Sequence, residues 1–163
     1  MADLVHSDED ERTVEAQLGR PVRGSWRVAR RCHLGVPMVI ENHPRLPDGA
    51  PFPTLFWLTC PVLTKRLSRL EAGGFMADLN DKLRGDEAMR ARQARSIARY
   101  LARRDGREPI EDSGSPPGGD PDRVKCLHAV VAHELADPPN TAGALAMSAA
   151  GHPDCRAECV ATP

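Results

Sequence analysis

Five cysteines and six histidines hold most of the chemistry open to this 163-residue chain. Cys155 and Cys159 enclose three residues, a spacing common for paired zinc ligands. Cys32 stands in Arg31-Cys32-His33-Leu34-Gly35, Cys60 directly before Pro61, and Cys126 in Lys125-Cys126-Leu127-His128. Four or five thiols meeting at one centre would hold a zinc ion or an iron–sulphur cluster. Cys32, Cys60, Cys126, Cys155 and Cys159 are therefore the candidate metal ligands. On a single helix Cys126 and His133 would lie about 10 Å apart, at ~1.5 Å per residue, too far for one ion to bridge. Cys126 is preferred as the ligand, and His133, like His128, is read as a supporting or alternative one. The competing reading uses no cofactor: the thiols are small buried hydrophobes, and His128, on an apolar helix face, is a satisfied core histidine.

A second chemistry needs only one thiol. Cys60 precedes a proline suited to the first turn of a helix, where unpaired N–H groups favour a thiolate. With His128 or His133 as its base, Cys60 would serve as the nucleophile of a thiol-dependent enzyme. No Gly-rich phosphate loop, His-Glu-x-x-His run or Gly-x-Ser-x-Gly elbow accompanies it. A third reading has no catalysis. Arg92, Arg95, Arg99 and Arg103 recur at helical spacing and form one stripe, which is either a solvated face or a docking surface for phosphate or an acidic protein partner. Between Arg84 and Arg107 eight arginines face three acids, whereas the first fifteen residues carry six acids and one arginine, so the N-terminal stretch could cover the stripe.

The elements that must position these groups follow from patterning. Residues 1–12 are polar and acidic and read as a disordered tail. A short helix is expected over Thr13–Leu18, stopped by Gly19-Arg20-Pro21. Ser25–Arg31 and Pro37–Ile40 read as a hairpin with Cys32 and His33 at its turn. The proline-rich connection 42–53 leads into Thr54–Thr59, a short aromatic and β-branched run that holds two of the three phenylalanines and one of the two tryptophans. That run is the expected buried strand. Helices follow over 61–72, 75–84 and 86–104, then a Gly/Pro/Ser-rich loop over 106–120. Asp120 and Pro121 predict a helix cap and first position for a helix running to Ala136. Residues 137–163 form a Pro/Ala-rich extension, with one short helix over 142–149 and the cysteine pair at its end. The expected fold is α+β: one domain over 13–136, with a small antiparallel sheet of about three strands covered by four or five helices.

Composition narrows the function classes. A net charge of −1 and an isoelectric point near 6.6 give no global attraction to nucleic acid or to anionic lipid. The acidic N-terminus lacks the basic and then apolar pattern of an export leader, and no apolar run reaches membrane-spanning length. A cytoplasmic location follows as an expectation, and there an odd number of cysteines suits reduced thiols or metal ligands better than disulfides. Composition leaves the oligomeric state open.

Two blocks carry a resemblance. Arg31-Cys32 before Gly35 and Pro37, then Leu46-Pro47-Asp48-Gly49 and the run Pro51 to Pro61, are followed in order by Pro121-Asp122-Arg123-Val124-Lys125-Cys126-Leu127-His128-Ala129-Val130-Val131-Ala132-His133. From about Leu18 to about Leu135 the chain resembles an uncharacterised, mainly actinobacterial family, domain-of-unknown-function family five-hundred-and-one. The resemblance implies no particular activity. Its genes often lie beside those of a septum-formation protein and an exopolyphosphatase-like phosphatase, which is association rather than mechanism. The chain departs from the family pattern at Ser115-Pro116-Pro117-Gly118-Gly119-Asp120, where the family tends to carry Ser-Ala-Gly-Gly, and it lacks the Asn-Pro-Leu-Gly-Asp run after Leu135. The functional expectation is an accessory protein with a cysteine-rich metal site, the adaptor and the thiol enzyme being the alternatives.

Overall fold

The computed structural model describes residues 5–111 and 115–160. The extreme ends of the chain and the centre of the 106–120 loop, for which a disordered tail, a loop and part of the extension were expected, lie outside the described residues. The architecture is α+β. Strands β1 (Trp26–Arg31), β2 (Pro37–Asn42) and β3 (Phe56–Leu58) form an antiparallel sheet in that order. Around it lie helices α1 (Asp8–Leu18), α2 (Pro61–Ala72), α3 (Phe75–Gly85), α4 (Glu87–Asp105), α5 (Leu127–Ala136) and α6 (Thr141–Ala150). A separate two-residue ladder joins β4 (Gly119–Asp120) to β5 (Arg123–Val124).

The hairpin expected around Cys32 is present. Its turn closes through Cys32 N–H to the Val36 carbonyl at 2.8 Å and Gly35 N–H to the Cys32 carbonyl at 3.0 Å. Gly35 has φ 79°, a left-handed conformation that costs glycine little. The strands bury both faces of the sheet, in two separate clusters. Trp26 and Ile40 pack with Val14 of α1, whereas Val39, Phe56 and Leu58 join the larger core with Leu127, Val130 and Val131 of α5. Although β3 is an edge strand of only three residues, α5 covers it, so the aromatic run does lie at the centre of the molecule.

Two expectations about element boundaries are corrected. Helix α1 starts at Asp8 rather than Thr13, because Ser7 caps it: the Ser7 hydroxyl accepts the Asp10 N–H at 3.1 Å. Four acids occupy its first turn, where the helix dipole favours them. Asp10 is further fixed by Arg31, with both guanidinium contacts at 2.8 Å. The acidic residues from position 8 onward thus belong to a helix and not to a tail.

The second correction concerns Pro121. No helix starts there; Pro121-Asp122 is the turn of the β4–β5 hairpin, a position that also suits proline's fixed φ. Asn80 of α3 clamps β5, accepting the Val124 N–H at 2.7 Å and donating to its carbonyl at 3.1 Å. Gly119, at φ 103°, brings its backbone so close that a Cβ there would meet the Arg123 oxygen at 2.1 Å. Helix α5 therefore begins at Leu127, and Cys126 is its N-cap, in extended conformation.

Helix α6 packs closely on α5, where a Cβ on Gly143 would meet the Val130 carbonyl at 2.2 Å. Asn140 caps α6 through its side-chain oxygen, which accepts the Gly143 N–H at 2.8 Å, and its amide nitrogen donates to His133 Nδ1 at 2.9 Å. Tyr100 of α4 holds the β3 approach by donating to the Pro53 carbonyl at 2.9 Å and accepting the Leu55 N–H at 2.7 Å.

Candidate metal centre

The late start of α5 places Cys126 and His128 on one helical turn, facing α2. Along α2, Thr64, Ser68 and Glu71 recur at four and three residues and so share a face, the one turned toward α5. His128 Nδ1 lies 4.0 Å from Cys126 Sγ and 3.4 Å from Glu71 Oε1. Its Nε2 faces the Thr64 carbonyl at 3.1 Å and the Ser68 hydroxyl at 3.3 Å. A carbonyl can only accept, so Nε2 carries a proton; Nδ1 donates toward the thiol and carboxylate when the imidazole is charged and offers its lone pair to a metal when it is neutral. Glu71 Oε1 also accepts the Leu127 N–H at 2.8 Å, which ties the carboxylate to the N-terminus of α5. Among the described residues, Glu71, Cys126 and His128 are the one set of three such donors whose ligand atoms lie within 4.8 Å of one another.

Electrostatics favours the charged form of the pair. Burial opposes ionisation of Cys126 most strongly, but the hydrogen bond from His128, the Ala129 N–H and the charge on the imidazole outweigh it and hold the thiol below its ordinary value. His128 is pushed up to about 8, first by its bond to Cys126, then, against burial, by the Thr64 carbonyl and the Glu71 charge. Both side chains line a cavity of about 580 Å³ between β3, α2 and α5. Phe56, Trp57, Leu58 and Pro61 supply its apolar wall, with Thr64 and Lys65 among its polar groups. Pro117, which precedes β4, also lines it.

The remaining thiols gather elsewhere. Cys32, Cys60, Cys155 and Cys159 line one small cavity, and Cys126 is not part of its wall. The set of five expected around one ion is therefore divided into four and one, Cys126 at the N-cap of α5 lying instead with His128 and Glu71 of α2. Cys60 is the N-cap of α2 as the sequence implies, but its thiol is pushed up rather than down. Burial dominates, the Leu63 and Val62 N–H groups oppose it only in part, and Cys159 and Cys155 add to the rise. Such a thiol is a poor nucleophile at neutral pH.

His133 does not meet any cysteine. It is 3% exposed, stacked 5.8 Å from Phe56 and edge-on to Tyr100 at 5.3 Å. The arginine stripe is divided too: Arg92 and Arg95 are exposed, while Arg99 turns inward to the Asp137 and Pro139 carbonyls at 2.8 and 2.7 Å. Arg103 binds Glu41 of β2 at 3.0 Å. Sequence reasoning missed Glu71 altogether; the signal was available in its helical spacing from Thr64 and Ser68, but nothing local marks that face as a partner of Cys126.

A model of the family described as "Protein of unknown function (DUF501)" matches residues 28–148, which include Glu71, Cys126 and His128 but not Cys155 or Cys159. Comparison with curated proteins and with solved structures finds no match. With the match extending over most of its length, in the same order as the two blocks that suggested it, the chain belongs to the DUF501 family.

Proposed function

We propose that this protein binds a zinc ion through Glu71, Cys126 and His128, with the fourth coordination position directed to the adjoining cavity. The carrying observation is the convergence of a carboxylate, a thiol and an imidazole nitrogen from α2 and the start of α5, the thiol and the imidazole lining that cavity. Tetrahedral zinc, with bonds of about 2.0–2.3 Å, sets nitrogen and oxygen ligands about 3.3 Å apart and sulphur and nitrogen about 3.6 Å apart. The distances of 3.4 and 4.0 Å need a closure of only a few tenths of an ångström. The mixed donor set is of borderline softness, which suits zinc better than magnesium or calcium. Three protein ligands and an open position are the pattern of zinc that meets a small molecule or an activated water. The Nε2–H bond to Thr64 and the Leu127 N–H bond to Glu71 orient the ligands as an outer shell does.

A second reading is supported by the same pair without metal. The lowered Cys126 thiol and the raised His128 imidazole favour a thiolate–imidazolium couple beside a cavity, so Cys126 is better fitted than Cys60 for nucleophilic work. The adaptor reading keeps only Arg92 and Arg95 as an exposed docking surface, since Arg99 and Arg103 are engaged within the fold. Among the described residues no helix is long and apolar enough to cross a membrane, and the five free thiols suit the reducing cytoplasm.

Zinc binding by the full chain and by Glu71→Gln, followed by competition with a chromophoric chelator, tests the proposal. The variant should lose one equivalent or bind it at least about tenfold more weakly, as ligand and outer-shell losses do. Unchanged affinity and stoichiometry would remove Glu71 from the site, and with it the three-ligand assignment.

A further inference from the structure

The cavity lined by Cys32, Cys60, Cys155 and Cys159 lies apart from the site just described. We propose that these four thiols form a second zinc site, structural in kind, that fastens the C-terminal segment to the β1–β2 turn and to the start of α2.

Four cysteines from three separate parts of the chain line a cavity of about 10 Å³. That volume is close to one water-sized sphere. A space of that size favours one ion over a multi-iron cluster. Cys32 stands in the tight turn closed by its own N–H and carbonyl, and Cys60 stands at the N-cap of α2. Cys155 and Cys159 keep the three-residue spacing of a ligand pair.

Residues 151–160 contain no helix or strand. They are held by polar contacts: Arg66 donates to the Gly151 carbonyl at 3.0 Å, His33 Nε2 meets the Cys155 carbonyl at 2.8 Å, and Gln17 Nε2 donates to Cys159 Sγ at 3.9 Å. An amide N–H directed at the sulphur is the kind of contact that steadies a metal-bound thiolate.

The sulphurs stand wider than a bound set, since among the described residues only the Glu71 group has three ligand atoms within 4.8 Å of one another. Zinc–sulphur bonds of about 2.3 Å would bring neighbouring sulphurs to about 3.8 Å, drawing the four thiols inward over the cavity. Four S–H bonds break, four zinc–sulphur bonds form and four protons leave to solvent, with no change of oxidation state.

The test is the zinc content of the full chain after loading with zinc sulphate and gel filtration. The wild type should retain two equivalents, Cys155→Ser/Cys159→Ser one, and Cys126→Ser/His128→Asn one. Cobalt(II) gives a readout that separates the sites by thiolate number: emptying the four-thiolate site in Cys155→Ser/Cys159→Ser should remove most of the sulphur-to-cobalt charge-transfer absorbance, while Cys126→Ser/His128→Asn should leave most of it. If the double serine variant does not fold, the wild-type cobalt spectrum decides, because four thiolates on one ion and one thiolate on another differ in intensity several-fold. A double serine variant that keeps the wild-type zinc content, or wild-type cobalt absorbance no greater than one thiolate supplies, would overturn the proposal.

Discussion

His128 Nδ1 lies 3.4 Å from Glu71 Oε1, joining the first turn of α5 to the last turn of α2 across a contact between residues 57 positions apart in the chain. The same nitrogen faces Cys126, so one imidazole is shared by a carboxylate and a thiol. This relationship divides the five cysteines into two groups with different chemistry, and it gives opposite expectations for Cys126 and Cys60.

In the metal-free chain, Cys126 should be the first thiol alkylated by iodoacetamide near neutral pH, and Cys60 among the last. Cys126 is held below its usual value and lines an open cavity, while Cys60 is 5% exposed and pushed up by burial. Replacing His128 by alanine should slow the reaction of Cys126. Peptide mapping of the labelled sites checks this, and labelling of Cys60 ahead of Cys126 would reverse the assignment.

Glu41 should be a large single contributor to stability. It is fully buried, accepts from Arg27, Arg103 and Arg107 at 2.8–3.1 Å, and is lowered to about 2 because these three guanidiniums outweigh its burial. Glu41→Ala leaves three cations around an uncompensated site and should cost about 3 kcal/mol, measured by urea unfolding. A loss below about 1 kcal/mol would mean that the arginines turn to solvent without penalty.

The elements were largely legible in the sequence, and the site was legible only in part. Leucines at three and four residue spacing mark α2, the aromatic run marks β3, and Cys60-Pro61 marks the strand-to-helix junction, because each signal is local. Pro121 failed as a helix start because proline's fixed φ serves a hairpin turn equally well, and only the distant Asn80, which clamps Val124, decides between them. That single boundary moved Cys126 from the middle of a helix to its N-cap and turned a wide separation from His133 into a close pairing with His128. Glu71 was hidden for the same reason: its role depends on a contact between α2 and α5. The division of the arginine stripe likewise depends on Glu41 and Asp137, which no helical wheel contains.

His133 should make the fold sensitive to mild acid. Burial, then Arg99, and Arg103 more weakly lower it to about 4, against a smaller opposing effect of Asp137, whereas the unfolded chain titrates near the ordinary value of 6.5. The unfolded state then binds the extra proton first. The contribution is complete above about pH 6.5 and is lost as pH falls toward 4, amounting to roughly 3 kcal/mol over that window. Unfolding free energies measured at pH 7 and pH 4.5 should show this slope, reduced in His133→Gln; an equal slope in the variant would assign the acid sensitivity to other groups.

The most direct test of the central claim is the zinc content per chain of the loaded wild type beside that of Cys126→Ser/His128→Asn, determined by elemental analysis after gel filtration. A loss of one equivalent in the variant, with the circular dichroism of the fold retained, is the predicted result. Equal zinc in the two proteins, or none in either, would contradict a metal centre at Glu71, Cys126 and His128.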